Sequence, residues 1–166
     1  LCYTDVERSI VGSAVPTSEA LTLPVHKELA SDFFCQRREI GVINIGAAGT
    51  VRVDGETFDM APRDGLYIGM GAKDITFASQ NSDTPAKFYV NCAPAHATYP
   101  TAQVSFDAAE PIHLGELENS NKRTIRKYFH PDGVRSCQLV MGMTTLETGC
   151  VWNTMPVHTH PRRMEA

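Results

Sequence analysis

At 166 residues and 18.2 kDa, with 42% hydrophobic residues, the chain can bury the core of one ordinary domain or two small ones. A net charge of -4 and a pI near 5.8 provide no cluster of Lys and Arg for a phosphate backbone, which argues against a nucleic-acid partner. No apolar run approaches the roughly 18 residues of a membrane span and no basic region precedes an apolar block at the start, so the expectation is no membrane partner and a cytoplasmic location.

The chain opens on Leu1-Cys2-Tyr3-Thr4, without an initiator Met, and reads as entered in mid-strand; both ends read as cut. Ile10 to Val15, closed by Pro16, suits an edge strand and a turn. Strand-like Leu21-Thr22-Leu23 follows, with a short helical turn expected around Lys27 to Ser31. Next come the apolar run Ile40 to Ile45, a turn over Gly46 to Gly49, and a strand over Thr50 to Val53. Asp54-Gly55 then supplies the positive φ angles of a two-residue hairpin turn, and Glu56 to Phe58 returns. Pro62 to Phe77 gives a strand, a Gly-rich turn and another strand, which together read as a small β-barrel.

A strand over Ala86 to Cys92 leads into the Pro-bounded connection Ala93 to Pro100, where a domain boundary is expected. Lys122, Arg123, Arg126 and Lys127 form a short basic stretch, either a solvated face or a place for arginines to meet a substrate carboxylate. A strand is expected over Cys137 to Thr145, then a turn over Leu146 to Gly149 and a further strand from Cys150. This repeat of the earlier pattern suggests a second β-barrel, incomplete in this chain.

The five cysteines, Cys2, Cys35, Cys92, Cys137 and Cys150, are scattered, odd in number and without a Cys-x-x-Cys pair, so reduced and mostly buried thiols are expected. The chemistry concentrates at the end of the chain, in His158-Thr159-His160 and Glu165. Histidines two apart on a strand project from one face, and a carboxylate after the Pro161 reversal supplies a third ligand on that side. Two imidazoles and a carboxylate suit zinc, iron, manganese or nickel; the other reading is a pair of solvated surface histidines.

His158, His160 and Glu165 resemble the first metal motif of the cupin β-barrels, Gly-x5-His-x-His-x3-4-Glu, although Gly149 stands further upstream than the motif's glycine. Arg37 to Gly46, Pro85 to Tyr89, Asn91 to His96 and Trp152 to Pro156 extend a resemblance over nearly the whole chain to the 5-keto-4-deoxyuronate isomerases, also called 4-deoxy-L-threo-5-hexosulose-uronate ketol-isomerases. The resemblance implies an all-β bicupin of antiparallel, jelly-roll β-barrels with the second barrel incomplete. Residues 1–100 would form a metal-free cupin-like barrel, and residues 101–166 the start of a metal-binding one.

It further implies one zinc per subunit held by His158, His160 and Glu165, with a fourth ligand, a histidine, that has no counterpart in this sequence. The implied reaction converts 5-dehydro-4-deoxy-D-glucuronate to 3-deoxy-D-glycero-2,5-hexodiulosonate in pectin and uronate catabolism. A Lewis acid suits the enediolate route of such an aldose-ketose exchange. No general base is named by the sequence, and Arg163, two residues from Glu165 and on the same strand face, is the candidate for the substrate carboxylate. A homohexamer is the implied assembly. Two readings stay open beside the isomerase: a non-catalytic cupin that senses or stores a sugar acid, and an iron dioxygenase.

Overall fold

A computed structural model describes residues 1–151. Its strands are β1 (Cys2–Tyr3), β2 (Ile10–Ala14), β3 (Leu21–Thr22), β4 (Arg38–Asn44), β5 (Gly49–Val53), β6 (Glu56–Met60), β7 (Gly65–Ile68), β8 (Ile75–Ser79), β9 (Phe88–Pro94), β10 (Ala102–Val104), β11 (Pro111–Leu114), β12 (Arg123–Phe129) and β13 (Met141–Leu146). Short 3-10 turns occupy Val6–Arg8, Lys27–Leu29 and Phe34–Gln36. No helix among the described residues is long and apolar enough to cross a membrane.

All named pairings are antiparallel, and they build three sheets. A six-stranded sheet runs β1-β2-β9-β4-β7-β10, a four-stranded sheet β3-β8-β5-β6, and a three-stranded sheet β11-β12-β13. The Ile10–Ala14 segment, expected at an edge, is instead flanked by β1 and β9. β10, which follows residue 100, is hydrogen-bonded to β7 from Ala102↔Tyr67 to Val104↔Gly65.

Two-residue alternation on β4 and β7 explains how the sheets stack. Ile40, Val42, Leu66 and Ile68 face Val51, Val53, Met60, Ile75 and Phe77 in the first core, between the six- and four-stranded sheets. The Phe77 and Phe88 rings meet there with centroids 5.3 Å apart. Ile43 and Tyr67 point to the opposite face and join Tyr128, Phe129, Leu139 and Met141 in a second core under the three-stranded sheet. The uninterrupted apolar run at Ile40 to Ile43 is thus a strand buried on both faces.

Close approach of the three-stranded sheet depends on Gly41. A Cβ there would lie 2.1 Å from Met141 Sδ and 2.7 Å from Leu139 Cδ2. Buried polar groups finish the central strand: Asn44 Nδ2 donates to Ala47 O at 2.8 Å and Met60 O at 3.0 Å, while its Oδ1 accepts from Gly46 N at 3.1 Å. Asp64 Oδ1 accepts from Phe106 N at 2.9 Å, and the Tyr128 hydroxyl donates to Arg63 O at 2.6 Å, tying later segments to the β6–β7 turn.

The strand expected to begin at Cys137 begins at Met141. Residues 137–139 do not join a ladder because their N–H groups are used by a side chain of β4. The following turn has the expected glycine: Gly149 takes φ 84°, and Cys150 N donates to Glu147 O at 3.0 Å.

Candidate functional site

The sequence-predicted ligands His158, His160 and Glu165, and the candidate carboxylate-binding Arg163, lie outside the described residues. No group of three or more His, Cys, Asp or Glu side chains able to hold a metal ion lies among the described ones. The structure does show the scaffold that leads to the motif. β12 and β13 pair from Arg123↔Leu146 to Phe129↔Met141, with a register shift between Lys127 and Phe129. That irregularity lets the successive Tyr128 and Phe129 both enter the second core, where strict alternation would send them to opposite faces. The β13 end is fixed to the loop before β12 by Glu147 N donating to Lys122 O at 3.0 Å and Val151 N to Ser120 O at 2.8 Å.

The other end of this scaffold is held by Glu39. Its side chain is fully buried, and it accepts four hydrogen bonds. Tyr67 Oη and Cys137 N donate to Oε2, each at 2.6 Å. Gln138 N at 2.6 Å and Leu139 N at 2.7 Å donate to Oε1. Three successive N–H groups converging on one carboxylate form an anion nest, here filled from within the chain. Burial, and next the bond to Glu39, push the Tyr67 hydroxyl's pKa up, so it stays a donor.

The basic stretch is partly committed to structure. Arg126 Nη1 donates to Phe106 O at 3.0 Å and Ala109 O at 2.5 Å. Its guanidinium stacks 4.0 Å from the Phe106 ring centroid, and Arg63 stacks on the same ring at 3.7 Å. This arrangement pins the loop after β10 instead of presenting Arg126 to a ligand.

Beside the nest, Cys137 Sγ lies 3.4 Å from His96 Nδ1. Two clefts adjoin this pair, one of about 330 Å³ with Tyr99, Arg135 and Cys137 in its wall, the other of about 500 Å³ with Arg8, Arg37, Arg38 and His96. Cys35 and Cys92 are instead fully buried; loss of hydration raises both thiols, Cys92 from the ordinary 9.0 to about 11. The sequence gives these thiols no distinct roles, and it offers no sign that Glu39 is functional, because a glutamate at a strand start ordinarily faces water.

The KduI/IolB family model matches residues 2–166. The chain is 54% identical over 165 residues to a 4-deoxy-L-threo-5-hexosulose-uronate ketol-isomerase of Lachnoclostridium phytofermentans, covering 99% of this chain and 60% of that protein. It is 52% identical over 167 residues to the protein of the same name from Escherichia coli K12, again covering 99% of this chain and 60% of the relative. The chain therefore spans about 60% of the length of the curated relatives it matches. Among solved structures, an IolB-like protein from Salmonella typhimurium LT2 superposes with a TM-score of 0.51 at 18% identity, over 70% of this chain and 43% of that one, a likeness of fold.

Proposed function

The chain belongs to the KduI/IolB family, and from that premise we propose that it forms part of a ketol-isomerase acting on 4-deoxy-L-threo-5-hexosulose uronate, the substrate in its relatives' name. The observation that carries this reading is 52–55% identity to such isomerases over 99% of the chain. In that reading the six- and four-stranded sheets make a first cupin-type barrel, the β11–β13 sheet opens a second, and the residues after 151 carry the metal grip.

The donor chemistry fits zinc: His158 and His160 offer neutral imidazoles two residues apart, and Glu165 a carboxylate, the mixed N/O set of an open catalytic site. When bound, such an ion supplies Lewis-acid polarisation of the substrate carbonyl. Arg163 binds the uronate carboxylate, its planar fork matching the two oxygens. The net reaction moves a proton between C1 and C2 while carbonyl and hydroxyl exchange places. Residues 137–139, latched by Glu39, fix the chain that enters β13. The reading further includes hexamer assembly, a cytoplasmic setting and a place in pectin and uronate breakdown.

The test is metal content and turnover of the protein that carries this chain. About one zinc per chain is expected. His158→Ala and His160→Ala should each release the metal and lower isomerisation by roughly 100-fold or more. Full turnover after exhaustive chelation would overturn the metal role. Tight metal and uronate binding without conversion would instead identify a non-catalytic sugar-acid module.

A further inference from the structure

Cys137 and His96 come from segments 41 residues apart, and the fold presses them together. Besides the 3.4 Å approach to Nδ1, Sγ lies 3.9 Å from Nε2 and accepts the His96 backbone N–H at 3.4 Å. Gln138 closes the cluster, its Nε2 3.3 Å from His96 Nδ1 and donating to Pro94 O at 3.2 Å. The thiol's backbone cannot drift, because residues 137–139 are held by the fully buried Glu39 carboxylate. Cys137 is half-buried and His96 exposed, so solvent reaches both.

The surroundings are cationic in a chain of net charge -4. The two clefts meet at Gln138, and among the described residues their walls carry Arg135 on the thiol side and Arg8, Arg37 and Arg38 on the imidazole side, with the carboxylate of Glu28, while the Glu39 carboxylate beneath is taken up by its four donors. Arg37 is steadied by donating to Ala30 O at 2.5 Å, and Arg38 by donating to Arg8 O at 2.6 Å. An electropositive, partly open setting with an imidazole against the sulfur is what a reactive thiol requires, and the fully buried Cys35 and Cys92 have neither an imidazole nor access.

We propose that Cys137, with His96 as its proton acceptor and the flanking arginines as anion guides, is a site of thiol–disulfide exchange with anionic, low-molecular-weight disulfides. His96 takes the thiol proton as Sγ attacks one sulfur of the incoming disulfide. The Sγ–S bond forms, the original S–S bond breaks, and the departing thiolate collects the proton from the imidazolium. Cys137 ends oxidised as a mixed disulfide, and the leaving half is reduced to a thiol. The adduct places carboxylates against the arginines and a bulky group on the segment that enters β13.

The probes are glutathione disulfide, which is anionic, and cystamine, which is cationic, each reacted with the protein that carries this chain while peptide mass mapping follows every cysteine. Cys137 should be thiolated first by glutathione disulfide, roughly tenfold faster than Cys2 or Cys150. His96→Asn should slow it by about tenfold, and Arg37→Ala or Arg135→Ala should slow glutathione disulfide more than cystamine. Equal rates at Cys2 and Cys137 would overturn the site, and an unchanged rate in His96→Asn would overturn the imidazole's role. Equal preference for the two probes would overturn anion guidance. The wild-type protein gives a check free of folding defects in variants: raising salt from about 50 mM to about 500 mM should slow glutathione disulfide at Cys137 and not cystamine, and an equal response of the two probes refutes anion guidance.

Discussion

Glu39 shows how one residue fixes long-range structure. Its four donors come from β7 and from residues 137–139, so its charge is distributed over groups that would otherwise need water or a ladder. Glu39→Gln replaces one acceptor oxygen with an NH2 that faces a donor, leaving at least one buried N–H unpaired. The expected cost is about 3 kcal/mol, read as a lowered urea midpoint, and Tyr67→Phe should cost less, about 2 kcal/mol. If Glu39→Gln melts like wild type, the nest is not holding the segment. Gly41 makes the complementary point about space: Gly41→Val would drive a side chain into Met141 and Leu139, with an expected loss of about 3 kcal/mol and disturbed packing around Phe129. Neither role is visible from the residue alone. Glu39 reads as a solvent-facing strand residue, and Gly41 as a weak spot in an apolar run, until the neighbours arrive from about 100 positions later in the chain.

Elements built from local chemistry were the legible ones. Asp54 and Gly55 adopt φ 48° and 94°, as the hairpin between β5 and β6 requires, and the pairing Val53↔Glu56 closes it. The sequence did not reveal the second job of Asp54, whose Oδ1 accepts from Lys73 N at 2.9 Å and Asp74 N at 2.8 Å and so ties this hairpin to the turn before β8. Asp54→Ala should therefore destabilise by about 1.5 kcal/mol, whereas Asp54→Asn should cost little because its side-chain oxygen still accepts; thermal melts of the two variants separate capping from charge. The β13 segment shows the opposite case. Cys137 to Thr145 has the composition of one strand, yet its first residues leave the ladder because a buried carboxylate competes successfully for their N–H groups. The β12 irregularity belongs here too, since the adjacent Tyr128 and Phe129 share one core where the register shifts between Lys127 and Phe129.

At the scale of the whole molecule, the three sheets enclose two cores, and the groups sealed in and between them set the response to alkali. Cys92 has its folded pKa raised from 9.0 to about 11 by burial, partly offset by Arg38, and burial moves Cys35, Tyr67 and Tyr128 in the same direction. A raised folded pKa means the unfolded chain gives up its proton first. The stabilisation is therefore complete below about pH 9 and declines toward pH 11, with Cys92 alone accounting for about 3 kcal/mol. Urea unfolding at a series of pH values should show a plateau and then this fall; a flat profile up to pH 11 would contradict burial of the thiol. Sequence alone determined the β character, the hairpin turns, the central apolar strand and the His158-x-His160-x4-Glu165 motif, because turn chemistry, side-chain alternation and ligand spacing are all local properties. Only the tertiary structure decided that β4 is buried on both faces, that Glu39 holds residues 137–139, and that Cys137 meets His96. Those outcomes depend on contacts between segments distant in the chain, and a contact between distant segments leaves no period or spacing to read.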